Sequence, residues 1–444
     1  MAYRERLLDR QSATGQPVKV GLVGAGQMGR GFVAQVRRIA GMEVVAVADL
    51  DVQRATGALQ AAGVDNVTTG DDYDKLSNAV AEGGTVALSD PTLLTSLPVD
   101  MVIDATGVPE IGAQIALRSI LAGRHVGLLN VETDITVGWL LSRMAAQTGA
   151  VYTLCRGDEP AEALKLVEFA RDLAFDVVCA GKGKNNPMRP HDTPTALADE
   201  ANSKRMNPKM LASFVDGSKA MIEMAALANA ADLGVSKRGM SGTKTTVPEL
   251  HEVFKPTADG GILERSGVVD FATGPVAPGV FVIARSDDPT VVEQMDYLKM
   301  GSGPYYSFYR PYHLASIEAP LSIPAAVLDG RSDIQPTAWR AEVAAGTKRP
   351  LKAGEEIDGI GGEHVYGLID DAETAKAERL VPLGLLAGAR VIRDVDVDHV
   401  LTYDDVEIDS STTIAQLRAL QDRLLEGHPV VAAPVAGVGL VSSA

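Results

Sequence analysis

Short apolar runs alternate with longer amphipathic stretches through the first third of the chain. Val18-Lys-Val-Gly-Leu-Val23 has the length of a buried strand, and Phe32-Val-Ala-Gln-Val36 after it has helical character. Val44-Val-Ala-Val-Ala-Asp49 reads as a second strand ending in an acid. Further strands are expected at 99–107, 125–130 and 152–154, with a helix over 109–122 and a short surface helix over 1–16. Strands alternating with helices predict a parallel sheet with crossover helices, an α/β fold of Rossmann type. Residues 65–97 are polar and irregular, and read as an insertion or a weak unit.

Beyond 150 the pattern predicts a helix over 159–173, with Pro160 suited to its first turn. A strand over 176–180 runs into a basic loop, Gly181-Lys-Gly-Lys-Asn-Asn-Pro-Met-Arg-Pro190. A long helix is expected over 209–231 after Asn207-Pro208, then short strands such as 280–283 and a helix over 322–328. Around 341–350 the character changes to short strands with tight turns, a small all-β module. A helix over 412–425 and a glycine- and alanine-rich tail close the chain. The expected division is a dinucleotide-binding domain (1–150) and an α+β substrate-binding catalytic domain (151–345), whose late helices can return to the first. A β module (346–408) and a C-terminal helix with its tail (409–444) follow.

The glycine cluster Gly24-Ala-Gly26-Gln27-Met28-Gly29 stands between the first strand and helix, the setting of a dinucleotide fingerprint. The first glycine permits the tight turn, the second lets a pyrophosphate approach, and the third lets helix and strand pack. The helix N-terminus would hold the pyrophosphate, and Asp49 a ribose hydroxyl. The bland alternative is a tight turn without a ligand. Ala105, Thr106, Gly107 and Asn130, at later strand ends, are expected to line the cofactor crevice. Asp49 favours NAD(H), whereas Arg54 or Arg30 could accommodate the extra phosphate of NADP(H).

Composition narrows the partners. A net charge of −17 argues against nucleic acid and anionic membranes. The longest apolar stretch, 429–441, is too short and glycine-rich to span a bilayer, and the charged N-terminus is no signal-peptide core. Two cysteines without metal-type spacing read as free thiols, so a cytoplasmic protein is expected.

The first 330 or so residues resemble the homoserine-dehydrogenase-like oxidoreductases. Residues 346–408, with Pro382-Leu-Gly-Leu385 and Leu401-Thr-Tyr-Asp-Asp-Val406, resemble an SAF domain, a β-clip module. The whole is similar to the 1-deoxy-D-xylulose 5-phosphate reductoisomerase-like proteins, with Tyr309-Arg-Pro-Tyr-His-Leu314 the most specific phrase. The resemblance implies NADPH-dependent rearrangement and reduction of that sugar phosphate, feeding isoprenoid synthesis, with a dimer or tetramer expected. It departs from homoserine dehydrogenase in two places. Asn130-Val131 stands where that family has Asn-Lys, and Lys219 and Glu223 reverse its Asp and Lys. Another sugar acid or hydroxy acid on the same frame is the alternative, as is a nucleotide-sensing protein without turnover.

The candidate chemistry follows from placement. Lys182, Lys184, Asn185 and Asn186 lie past a strand end and suit a phosphate or a polarised carbonyl; a solvated loop is the alternative. Lys204, Arg205 and Lys209 form a second basic cluster, a phosphate clamp or a plain surface run. Lys219 and Glu223 share a helix face and are read as an acid/base pair, with Glu223 alternatively a metal ligand, or as an ordinary helical ion pair. Arg310 could pair with phosphate and His313 transfer protons, or both could belong to a packed aromatic strand. Asp158 and Glu159 could hold Mg²⁺ or Mn²⁺, though an N-cap explains Asp158 as well. The expected substrate is a phosphorylated or polyhydroxylated small molecule.

Overall fold

A computed structural model describes residues 2–427. Its first layer has seven strands: β1 (Val18–Val23), β2 (Met42–Ala48), β3 (Val67–Thr69), β4 (Thr85–Leu88), β5 (Met101–Asp104), β6 (His125–Leu128) and β7 (Tyr152–Leu154). They pair in the order β3-β4-β2-β1-β5-β6-β7, every pair parallel. Strands covered by helices on both faces need continuous apolar runs, and Val18, Val20, Leu22 and Val23 are all buried. The chain adopts the expected α/β fold. The stretch 65–97, however, is no insertion. It supplies β3, β4 and helices Tyr73–Ala81 and Pro91–Leu94, completing one edge of the sheet. An edge strand of three half-buried or exposed residues leaves little apolar pattern to read.

The second sheet contains β8 (Asp176–Lys184), β9 (Gly234–Val235), β10 (Thr243–Lys244), β11 (Val268–Thr273), β12 (Val280–Arg285) and β13 (Tyr305–Arg310). Its order is β10-β11-β8-β12-β13, with β9 against β11. β8 runs through Lys184, so Lys182 and Lys184 belong to a central strand and not to the expected loop. The Gly-Lys-Gly-Lys alternation is the two-residue period of a strand. A Cβ at Gly181 would lie 2.1 Å from the Asp270 carbonyl oxygen, and one at Gly183 2.2 Å from the Ala277 nitrogen. Glycines therefore allow the close approach while the lysines alternate with them.

The helix expected over 209–231 is two helices, Pro208–Val215 and Ser218–Ala231. Gly217 between them has φ of 93°, a left-handed conformation suited to glycine. The Asp216 carboxylate accepts the Ser218 N–H at 2.8 Å and pairs with the fully buried Lys348 ammonium at 2.9 Å. Every residue of Ser218–Ala231 except Lys219 is buried, the signature of a core helix.

Two small antiparallel pairs follow, β14 (Ala341–Thr347) with β15 (Val365–Asp371), and β16 (Arg390–Val391) with β17 (Val406–Glu407). The Pro382-Leu-Gly-Leu385 stretch, within the module expected to be short strands with tight turns, forms a 3₁₀ turn over Leu383–Leu385. Leu351 and Val400 enter only isolated bridges. Val343, Ile369 and Leu383 share one apolar cluster with Met224 and Leu227 of the core helix and with Leu128 of the first layer. Ile323 and Ala326 of helix Ser322–Asp329 pack into the core of the first sheet. The expected tail from 428 onward lies outside the described residues. Among the described residues no helix is long and apolar enough to cross a membrane.

Candidate active site

The glycine turn is built as its pattern requires. Gly24 has φ of 94°, and a Cβ there would lie 2.9 Å from the Ala105 backbone. A Cβ on Gly29 would sit 1.9 Å from the Gly24 carbonyl oxygen, whereas one on Gly26 meets only an Arg54 guanidinium nitrogen, at 3.8 Å. Helix Gln27–Val36 begins there, with Gln27 exposed and Met28 half-buried in its first turn. Open space over Gly26, backed by a helix N-terminus and overlooked by Arg54, fits a pyrophosphate. Asp49 accepts the Ala25 N–H at 2.8 Å and the Asp51 N–H at 3.0 Å, so it also braces the turn. Asn130 is fully buried and committed: its amide donates to Asp104 at 2.8 Å and to the Val108 carbonyl at 3.0 Å. Asp104 in turn accepts the Thr106 N–H at 2.9 Å. Asn130 therefore shapes the crevice wall through Thr106, Gly107 and Val108. Gly29→Ala is expected to weaken dinucleotide binding by about tenfold or more, ~1.4 kcal/mol, in a fluorescence titration.

The chemistry gathers at the junction of the two sheets. Lys182 on β8 donates to Glu159 at 2.5 Å and also to Glu223. Glu159 opens helix Glu159–Asp172, and Glu223 stands on the core helix. Lys219, one turn before Glu223, donates to Glu132 at 3.0 Å and lies 4.0 Å from Glu223. Glu132 follows the carboxyl end of β6. His313 completes the cluster, with Nε2 3.3 Å from Glu159 and Nδ1 3.2 Å from the Gly157 carbonyl oxygen.

Burial forces these groups to share charge. It opposes charge on Lys182 and Lys219, but the acids around them outweigh it and hold both pKa values well above an ordinary lysine. Burial likewise acts against Glu159, and there Lys182 and His313 prevail and hold it well below the usual carboxylate range. Glu223 is pushed up by burial and by Glu159. Asp158 is pushed well up by the same two causes, which favours its neutral form. Lys184 differs: burial and the neighbouring Lys182 charge lower it to about 8. Its ammonium donates to the carbonyls of Asn186, at 2.6 Å, and Phe214, at 2.7 Å.

Asp158, Glu159 and His313 each present a ligand atom, all within 4.8 Å of one another. Two carboxyl groups and an imidazole suit Mn²⁺, and the oxygens suit Mg²⁺. A bound cation would offset the burial and the Glu159 charge that push Asp158 up, and would compete with Lys182 for Glu159.

Other predicted residues stand apart from these contacts. Asn185 is exposed beyond β8. Lys204 pairs with Glu200 at 2.7 Å, Arg205 is exposed, and Lys209 reaches the Asp358 carbonyl at 3.2 Å. Arg310 is held by Glu162 and by Glu318 at 2.8 Å, and its guanidinium lies 4.4 Å from the Tyr312 ring centroid. Sequence reasoning passed over Glu132 as a site residue, although its place just past a strand end was a usable signal.

Residues 157–319, which contain all of this cluster except Glu132, match the family model of the catalytic domain of oxidoreductase DRL. With the glycine turn on its parallel sheet, that match makes the chain an NAD(P)-dependent oxidoreductase. No curated protein is significantly similar in sequence. Among solved structures, the chain is similar to scyllo-inositol dehydrogenase from Lactobacillus casei with bound NAD(H) and scyllo-inositol. The identity is 13% and the TM-score 0.41, over 71% of this chain and 91% of that one. The myo-inositol dehydrogenase of the same organism, in complex with NAD(H) and myo-inositol, gives 13% and 0.41 over 73% and 90%. Similarity of this degree fixes no substrate.

Proposed function

We propose that the chain reduces a carbonyl of a small phosphorylated or polyhydroxylated molecule to an alcohol, with NADPH preferred to NADH. The observation that carries this reading is the gathering of two ammonium groups, buried Lys182 and half-buried Lys219, at the carboxyl end of the first sheet, where open α/β enzymes place their sites. The bound cofactor would supply hydride. Lys219 stays charged through the working pH range, so its part is to stabilise negative charge growing on the carbonyl oxygen. In this reading Lys219 acts through its charge, and not as half of an acid/base pair with Glu223. Lys184 can exchange a proton near neutral pH.

Within this reading, resemblance to the reductoisomerase-like proteins favours 1-deoxy-D-xylulose 5-phosphate as substrate and 2-C-methyl-D-erythritol 4-phosphate as product. Asp158, Glu159 and His313 would hold Mg²⁺ or Mn²⁺, which would polarise the keto and hydroxyl oxygens during rearrangement. A sugar acid or hydroxy acid is the second reading, favoured by the pairing of Lys204 and Arg310 with acids, which leaves them poorly disposed towards a phosphate. Loss of reduced-nicotinamide absorbance with 1-deoxy-D-xylulose 5-phosphate and Mg²⁺ or Mn²⁺ tests the first. Cofactor binding without oxidation of NADPH or NADH excludes it and turns the assay to sugar acids and hydroxy acids. Arg54 is proposed to take the extra phosphate of NADPH. Arg54→Gln is then expected to weaken NADPH about tenfold and leave NADH nearly unchanged; equal losses for both would remove that role.

A further inference from the structure

Glu132 is the acid of the cluster that follows β6 of the first layer. Only 7% of it is exposed. One carboxylate oxygen accepts the Lys219 ammonium at 3.0 Å, and the other is buried without a hydrogen-bond partner. A buried carboxylate with an unsatisfied oxygen is costly and is poorly explained by packing alone. Its one hydrogen-bonded cation among the described residues is Lys219.

The sheet order gives this contact a direction. Asp49 lies at the carboxyl end of β2, Gly24 after β1, Thr106 after β5, and Glu132 after β6, in that spatial sequence. A dinucleotide entering at Asp49 and crossing Gly24 extends its second half towards β5 and β6. Glu132 therefore draws the Lys219 ammonium from the second layer to the far end of the cofactor crevice. Lys219 has an alternative partner on its own helix, Glu223, 4.0 Å away. Without Glu132 the flexible lysine side chain is free to turn to that partner.

We propose that Glu132 is a positioning residue, which reaches across from the cofactor layer and fixes the Lys219 ammonium where the reacting oxygen of the substrate must lie. This rests on the role given to Lys219 above. Misplacing such a group by about 1 Å can cost ~100-fold in rate. Glu132→Gln is therefore expected to lower kcat about 100-fold, with KM within about threefold and NADPH affinity unchanged. Glu132→Asp keeps the charge on a shorter stem and is expected to recover about a tenth of wild-type kcat.

An activity-independent measurement runs beside the kinetics. Acetic anhydride labelling of the full chain, mapped by mass spectrometry, is expected to modify Lys219 about tenfold faster in Glu132→Gln, because the ammonium loses its hydrogen-bonded carboxylate and keeps only the partner on its own helix. Wild-type kcat, or wild-type labelling of Lys219 in a folded Glu132→Gln protein, overturns the proposal. Should Glu132→Gln not fold, Glu132→Asp decides in the same way: unchanged labelling and kcat overturn it. If no substrate is turned over by the wild type, the labelling alone decides, so the proposal and the reading beneath it fail separately.

Discussion

Lys182→Met is expected to destabilise the protein by about 3–5 kcal/mol at pH 8, because the substitution leaves two buried carboxylates without their shared cation. Glu159 and Glu223 are 8% and 2% exposed, so water cannot replace the lost ammonium. The pH dependence of the effect has a definite sign. In the wild type, Glu159 is held below its ordinary range, chiefly by Lys182 acting against burial. Its contribution to stability is full above the unfolded pKa, about 4.3, and fades as pH falls through lower values. Without Lys182, only His313 beside Glu159 and Lys219 beside Glu223 still oppose burial, and both folded-state values rise. Each carboxyl then folds best with its proton on, and the cost of the substitution grows as pH rises. Thermal melts of both proteins at pH 5 and pH 8 should show the larger gap at pH 8. An equal gap at the two values would mean that Lys182 does not neutralise these acids. Adding Glu223→Gln to Lys182→Met should recover part of the loss, since one of the two stranded charges is then gone.

The same cluster shows what local pattern can and cannot reveal. The dinucleotide turn was legible because its requirements are local: the clash of a Gly29 side chain with Gly24 involves residues five positions apart. β8 was misread at its end because Gly-Lys-Gly-Lys has the composition of a loop. Its strand character comes from β11 and β12 pairing on either side, which no local window contains. Lys182 was noticed as a basic residue near a strand end, but burial between Glu159 and Glu223 depends on residues 23 and 41 positions away. Glu132 and Lys219 are 87 positions apart and on different layers. The break at Asp216-Gly217 was hidden because the apolar content of both flanking helices continues through it. Its cause is a glycine turn braced by Lys348 from the small β module. Residues that act through distant partners carry little sign of it in their own neighbourhood.

Lys219→Met should lower kcat by about 10²–10³-fold, the usual range for losing one charge-stabilising donor. The reason lies in the permanence of its charge. Burial opposes the ammonium, but Glu132, Asp158 and Glu223 together hold its pKa far above neutrality. A group that never gives up its proton in the working range contributes by electrostatics and cannot shape the pH profile. Lys184 can. Burial and Lys182 lower it to about 8, so it carries a proton below that value and has given it up above. Carbonyl reduction consumes a proton, and its rate should therefore fall as pH rises through about 8 if Lys184 supplies that proton. The reverse oxidation should rise over the same interval. In Lys219→Met the rate drops at every pH while this inflection stays where it was. In Lys184→Met the inflection should disappear. A Lys219→Met enzyme within about threefold of wild-type kcat would remove Lys219 from the transition state, and an inflection that survives Lys184→Met would assign the proton to another group.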